Sequence, residues 1–167
     1  MPVARALLAV IVLAALVLPA SASAVSRSAA GARQAPALLA VAAGVADRYW
    51  GAVPCRGSVK VVAQRPLTSG AESGTDAWVT FDTPLGRNDL AAPAVSYTNC
   101  TIAFGRSRWP TAESMGEDWQ MLCLTMVHEV GHLLGRSHDA TPGSVMAAVF
   151  TDLSSVPAAC RATRPSV

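Results

Sequence analysis

His128-Glu129-Val130-Gly131-His132-Leu133-Leu134-Gly135-Arg136-Ser137-His138-Asp139 is the stretch on which the reading of the chain turns. Its form is H-E-x-x-H-x-x-G-x-x-H-D. On a helix, His128 and His132 stand one turn apart, so both imidazoles can address one metal ion. Glu129 follows about 100° further round the helix. From there it can lean over the metal without binding it and take a proton from water held there. Gly135 falls where the helix must stop, because glycine adopts a left-handed conformation at little cost. The reversal brings His138 back as a third nitrogen ligand. Three neutral histidines leave a fourth position open for water, the arrangement of a catalytic rather than a structural zinc site. A bare H-E-x-x-H arises by chance on many helices; the glycine and third histidine make this one specific. All three histidines of the chain lie here.

The stretch resembles the zinc signature of the metzincin metallopeptidases. That group also carries a methionine-containing turn beneath the metal. Ser144-Val145-Met146 places a methionine eight residues beyond His138, after Thr141-Pro142-Gly143, a spacing most similar to the matrixin branch. The resemblance is specific over Leu122–Met146. It implies a zinc endopeptidase acting on protein or peptide substrates. One catalytic zinc ion would be held by His128, His132 and His138, with Glu129 as general base and Met146 as the floor of the site. Asp139, just after the third ligand, would orient its ring, anchor the turn or simply cap it. The implied fold is α+β: a twisted mixed β-sheet with two helices above an active-site cleft, then a small irregular C-terminal subdomain.

The resemblance also implies an antiparallel edge strand beside the cleft, with which an extended substrate pairs through backbone hydrogen bonds. Asn99–Phe104 is the candidate, with Thr101, Ile102, Ala103 and Phe104 as the pairing residues; an ordinary internal strand is the competing reading. In matrixins the region corresponding to Asp82–Ser96 binds calcium and a structural zinc. No histidine is free here for a second zinc. Asp82 and Asp89 leave calcium uncertain, since both also suit surface turns. Astacins and serralysins have a zinc-binding tyrosine two residues past the methionine; that position is Ala148, so no tyrosine switch is expected.

The chain opens with Met1-Pro2-Val3-Ala4-Arg5, then an apolar run from Ala6 to Leu18, then Pro19 and small residues, the three parts of a secretory signal peptide. Ala22-Ser23-Ala24 is the preferred cleavage site and Ala20-Ser21-Ala22 the alternative. The apolar run falls short of the roughly 20 residues of a membrane span. The domain plan is therefore a signal peptide over 1–24, a flexible mature N-terminus over 25–35 and a catalytic domain over 36–167. About 140 residues remain after cleavage, enough for one core. The formal charge of +2 over the whole chain falls to about +1 without Arg5, and the arginines are scattered. The expectation is a secreted, extracellular monomer with no nucleic-acid partner and no stable membrane anchor.

Four cysteines in an exported chain favour two disulfides, and three connectivities are possible. Cys123 lies about 140° round the helix from His128, facing away from the metal. The preferred pairing is Cys55–Cys100 with Cys123–Cys160, which ties the back of the active-site helix to the C-terminal tail. Elsewhere, Pro36 suits a first helical position, and Leu38, Val41, Val45 and Tyr49 follow with helical spacing to Trp50. Ser58–Ala63 and Ala77–Phe81 read as strands, making three with Asn99–Phe104. Asp82–Ser96 reads as a long loop and Gly105–Gly116 as polar and turn-rich. Asp118 or Glu117 can cap the active-site helix, which buries Trp119, Leu122, Met126 and Leu133. Val149 and Phe150 can wall the pocket beyond the methionine turn. A competing functional class is a secreted zinc-holding binding or inhibitory module without turnover. The presence of Glu129 weighs against it, because zinc binding alone needs no carboxylate there.

Overall fold

The computed structural model describes residues 21–65, 75–150 and 152–161. Most of the expected signal peptide, and the tail beyond Arg161, lie outside the described residues.

Helix α1 spans Ser21–Trp50. Its buried stripe is Ala35, Leu38, Leu39, Ala42, Val45 and Ala46, a run of three- and four-residue steps. Two expectations are corrected here. Val41 and Tyr49 are exposed, so the buried face is rotated from the one read in the sequence. Pro36 lies inside the helix rather than at its start, and residues 25–35 are helical rather than a flexible arm. Ala29, Ala30, Ala32 and Gln34 are strong helix formers, and Pro36 removes one backbone donor without ending the run.

The sheet has four strands: β1 (Val59–Arg65), β2 (Ala77–Thr83), β3 (Gly86–Arg87) and β4 (Thr98–Gly105). Their order is β1-β4-β2-β3, with β1 parallel to β4 and the remaining pairs antiparallel. Strand β3 and the 3₁₀ turn Ala94–Ser96 lie within the stretch expected as one long loop. Helix α2 (Ala112–Glu117), capped reciprocally by Thr111 and Ser114, occupies the end of the expected turn-rich segment.

Helix α3 (Trp119–Leu133) carries the two one-turn-spaced histidines and packs against α1, the sheet and the C-terminal segment. Trp119, Leu122, Met126 and Leu133 are all buried, as expected. Cys100, Ile102 and Phe104 of β4 and Phe81 of β2 meet these helices in one core. Asp118 stands at the start of α3, but its carboxylate accepts no capping bond from the helix backbone. Its carboxylate instead accepts from Arg108 Nε at 2.8 Å and Trp109 Nε1 at 3.2 Å, while Arg108 also reaches Asp76 at 2.9 Å. The segment that leads into β2 is thereby tied to the start of α3. Disulfides Cys55–Cys100 and Cys123–Cys160 join the turn after α1 to β4 and the back of α3 to the C-terminal turn Ala158–Arg161. Among the described residues no helix is long and apolar enough to cross a membrane.

Candidate active site

The C-terminus of α3 builds half of the site. Gly135 adopts φ +80°, and its N–H donates to the His132 carbonyl at 2.9 Å. Arg136 N–H then donates to the Gly131 carbonyl at 2.9 Å. These two bonds form the glycine-dependent helix stop known as a Schellman motif. The chain turns back after it, and His138 returns to face His128 and His132. Among the described residues these three make the one histidine, cysteine or carboxylate group whose ligand atoms could hold a metal ion.

Their tautomers follow from hydrogen bonds at the far side of two rings. His128 Nδ1 lies 2.8 Å from the Val145 carbonyl, and His132 Nδ1 lies 2.8 Å from the Arg136 carbonyl. A carbonyl oxygen can only accept, so both Nδ1 atoms carry the proton and both Nε2 atoms present lone pairs. Yet His132 Nε2 is 3.0 Å from His128 Nε2 and 3.2 Å from His138 Nε2. Lone pairs packed this closely repel unless a cation sits among them. The donor set therefore fits a divalent metal of zinc type, with imidazole nitrogen ligands. Burial pushes the His128 pKa down to about 4 and that of His132 down as well, so both stay neutral near pH 7.

Beneath the histidines lies the turn ending in Met146. Asp139 N–H donates to the Met146 carbonyl at 2.9 Å. Its carboxylate accepts from the Thr141 backbone N–H at 2.8 Å and from the Thr141 hydroxyl at 2.7 Å. Of the roles open to Asp139, these bonds fit anchoring of the turn; none reaches the His138 ring.

Glu129 is 5% exposed, and burial raises its carboxyl pKa to about 8. It shares a cleft of about 430 Å³ with the three histidines, Thr125, Leu90, Ala148 and Phe150. The Phe150 ring stands edge-on to His128, with centroids 5.4 Å apart. Val149, expected beside it, is 73% exposed and is not among the lining residues.

The strand along this cleft is β2, not β4. Strand β4 is hydrogen-bonded on both sides, by β1 and β2, so Thr101, Ile102, Ala103 and Phe104 have no free edge to offer. Ile102, Ala103 and Phe104 are buried, and Thr101 faces the opposite side of the sheet beside Lys60. By contrast, Ala77–Phe81 line the cleft apart from Thr80, and β3 covers only Asp82 and Thr83. Phe81 exchanges both backbone bonds with Asn88, N–H to Oδ1 at 2.8 Å and carbonyl from N–H at 2.9 Å. Strand alternation then directs the N–H and C=O of Val79 and Ala77 to the same side, which has no partner strand among the described residues.

The model for the matrixin peptidase family (Peptidase M10, Matrixin) matches residues 70–158. The chain belongs to the matrixin family. No curated protein and no solved structure matches it. The matched region runs from the approach to β2 through α3, the three histidines and the methionine turn, so every element of the cleft falls within this matrixin's family match.

One residue of the matrixin site escaped the sequence reading. Gly131 lies in mid-helix, where glycine costs about 1 kcal/mol relative to alanine. A Cβ there would run into Met146 Sδ and lie 2.9 Å from Trp50 Cζ2. The missing side chain is what lets the methionine turn and the end of α1 close on α3. A glycine with neither a turn nor a helix end to explain it was the available signal.

Proposed function

We propose that this matrixin is a secreted zinc-dependent endopeptidase that hydrolyses peptide bonds in protein or peptide substrates. The observation that carries the reading is the meeting of three imidazole Nε2 atoms with a buried carboxylate, in a cleft bordered by a strand edge that has no partner among the described residues. His128, His132 and His138 would hold the zinc. When bound, the ion supplies Lewis acidity, which makes a water molecule acidic near neutral pH and offsets charge developing on the substrate carbonyl.

The chain's own residues account for the rest. The outward N–H and C=O groups of Ala77 and Val79, without a partner among the described residues, hold an extended substrate by adding it as a strand beside β2. Phe150, Ala148 and Leu90 give apolar contact and exclude water from the cleft. Glu129, one residue beyond His128, takes the proton of the attacking water and returns it to the leaving amine. Met146 packs under the ligands without entering the reaction. The Cys55–Cys100 and Cys123–Cys160 disulfides suit an oxidising compartment, and with the apolar opening of the chain they support export, the mature protein beginning at Val25.

The test incubates the protein with denatured protein substrates, with and without a chelator, and maps the cut sites by mass spectrometry. Chelator-sensitive cleavage by wild type is expected, with zinc retained and hydrolysis lost in Glu129→Gln. Zinc uptake without any cleavage would instead support a zinc-holding binding module. Unchanged activity in Glu129→Gln would remove the general base assignment.

A further inference from the structure

We infer that Trp50, acting through Arg136, is a positioning residue for the metal ligand His132, so that α1 takes part in setting metal affinity. The inference rests on the reading of the three histidines as metal ligands, and begins from how α3 ends. The ring of His132 is oriented by the carbonyl of Arg136, a residue already outside the helix. Arg136 is itself held to α3 by its N–H bond to the Gly131 carbonyl. In this kind of helix stop, the residue at the Arg136 position frequently makes an apolar side-chain contact with the residue at the Gly131 position or the one before it. Gly131 has no side chain to offer, because Met146 and Trp50 occupy the space where its Cβ would stand. Gly131 therefore offers no side chain for that contact.

Trp50, the last residue of α1, supplies the substitute. Its indole Nε1 donates to the Val127 carbonyl at 2.9 Å, which pins the ring to α3 beside His128. Its edge fills the gap over Gly131. The guanidinium carbon of Arg136 lies 5.7 Å from the centre of its ring, within range of a cation–π contact. One side chain thus touches the helix before the first ligand, the glycine between the ligands, and the residue whose carbonyl aims the second ligand. Residues that orient a metal-bound histidine through its far nitrogen typically contribute 10- to 100-fold in metal affinity. Here that orienting group is a backbone carbonyl, which no substitution removes; what substitution can remove is the packing that holds it in place.

The test measures zinc affinity of the full chain by competition with a chromophoric chelator, and the visible spectrum of the Co²⁺-substituted protein, which reports ligand geometry. Trp50→Leu should weaken zinc binding about 10- to 100-fold and shift the Co²⁺ bands. Arg136→Ala keeps the accepting carbonyl but loses the contact with Trp50, and should act in the same direction by about two- to fivefold. The two together should fall short of the product of the separate effects, since they break one contact. Leu38→Ala, which thins α1 packing far from the site, should lower thermal stability and leave zinc affinity and the Co²⁺ spectrum unchanged. Wild-type affinity and spectrum in Trp50→Leu, with only a lower melting temperature, would overturn the inference. If Trp50→Leu does not fold, unchanged affinity and spectrum in Arg136→Ala, an exposed position, overturn it alone. Failure of the wild type to take up zinc would be a different result, and would remove the metal reading itself.

Discussion

Glu129→Gln should stabilise the metal-free protein, and by an amount that depends on pH. The Glu129 carboxyl is buried, and burial is the cause that lifts its pKa from 4.5 to about 8. Without metal the folded protein keeps this group neutral at pH 7, whereas the unfolded chain ionises it freely. The sign follows from linkage: a carboxyl with a raised folded pKa costs no stability below 4.5, and the cost grows as pH rises towards 8. At pH 7 the gap above 4.5 is about 2.5 pH units, and at about 1.4 kcal/mol per unit the cost is about 3 kcal/mol. At pH 5 the same reasoning leaves about 0.7 kcal/mol. Glutamine has nearly the same shape and cannot ionise, so the variant recovers this difference. Burying its amide adds a contribution of its own, but one that does not change with pH. The assay is urea unfolding of the wild type and the variant, disulfides intact and chelator present, at pH 5 and pH 7. The gain in stability should be larger at pH 7 by about 2 kcal/mol. An equal gain at both values would show that the carboxyl is not held neutral by burial, and would refute the reasoning.

Gly131→Ala should destabilise the protein by about 1–3 kcal/mol through overpacking against Trp50 and Met146, measured by denaturant unfolding. His128, with its folded pKa depressed to about 4, contributes stability that is full above the unfolded value of 6.5 and is lost as pH falls towards 4. Chelated His128→Gln should therefore lose less stability than chelated wild type between pH 6.5 and pH 4. Replacing Cys123 and Cys160 together by serine opens a link spanning 37 residues in sequence and should cost about 4 kcal/mol, read as a lower unfolding midpoint with Cys55–Cys100 retained.

The active-site helix and its three histidines were legible because their geometry is local: a four-residue step, a glycine stop and a short return. The turn ending in Met146 lies close enough in sequence to be read with them. The strand beside the cleft was not legible in the same way. Ile102-Ala103-Phe104 is apolar and well formed as a strand, but which strands flank it depends on the order β1-β4-β2-β3, a long-range property. A clue was present nonetheless, since a continuous apolar run suits a strand buried on both faces better than an edge. The reach of α1 past Pro36 was missed because a proline is usually a boundary, and here it is not. Gly131 was missed because its two neighbours come from distant parts of the chain, Trp50 before the sheet and Met146 after the helix.

The way the ionisable groups of the site are held divides their work. His128 and His132 are each fixed by a backbone carbonyl, of Val145 and of Arg136, and a carbonyl does not titrate. Their tautomers are therefore constant wherever the rings are neutral; burial keeps His128 neutral well below its ordinary pKa and lowers the pKa of His132 as well. Both carbonyls belong to the chain that follows α3, so the folding of residues 134–146 onto the helix is also what selects the tautomer that exposes Nε2. Asp139 takes part by closing that segment, its N–H on the Met146 carbonyl and its carboxylate on Thr141. Glu129 is treated differently: desolvation moves its pKa, and among the described residues no hydrogen bond favours either charge state. A carboxyl with no such bond to break can change its protonation state without disturbing the ligands beside it. That freedom suits the proton-carrying role proposed for Glu129, and a fixed tautomer suits the ligand role proposed for His128 and His132.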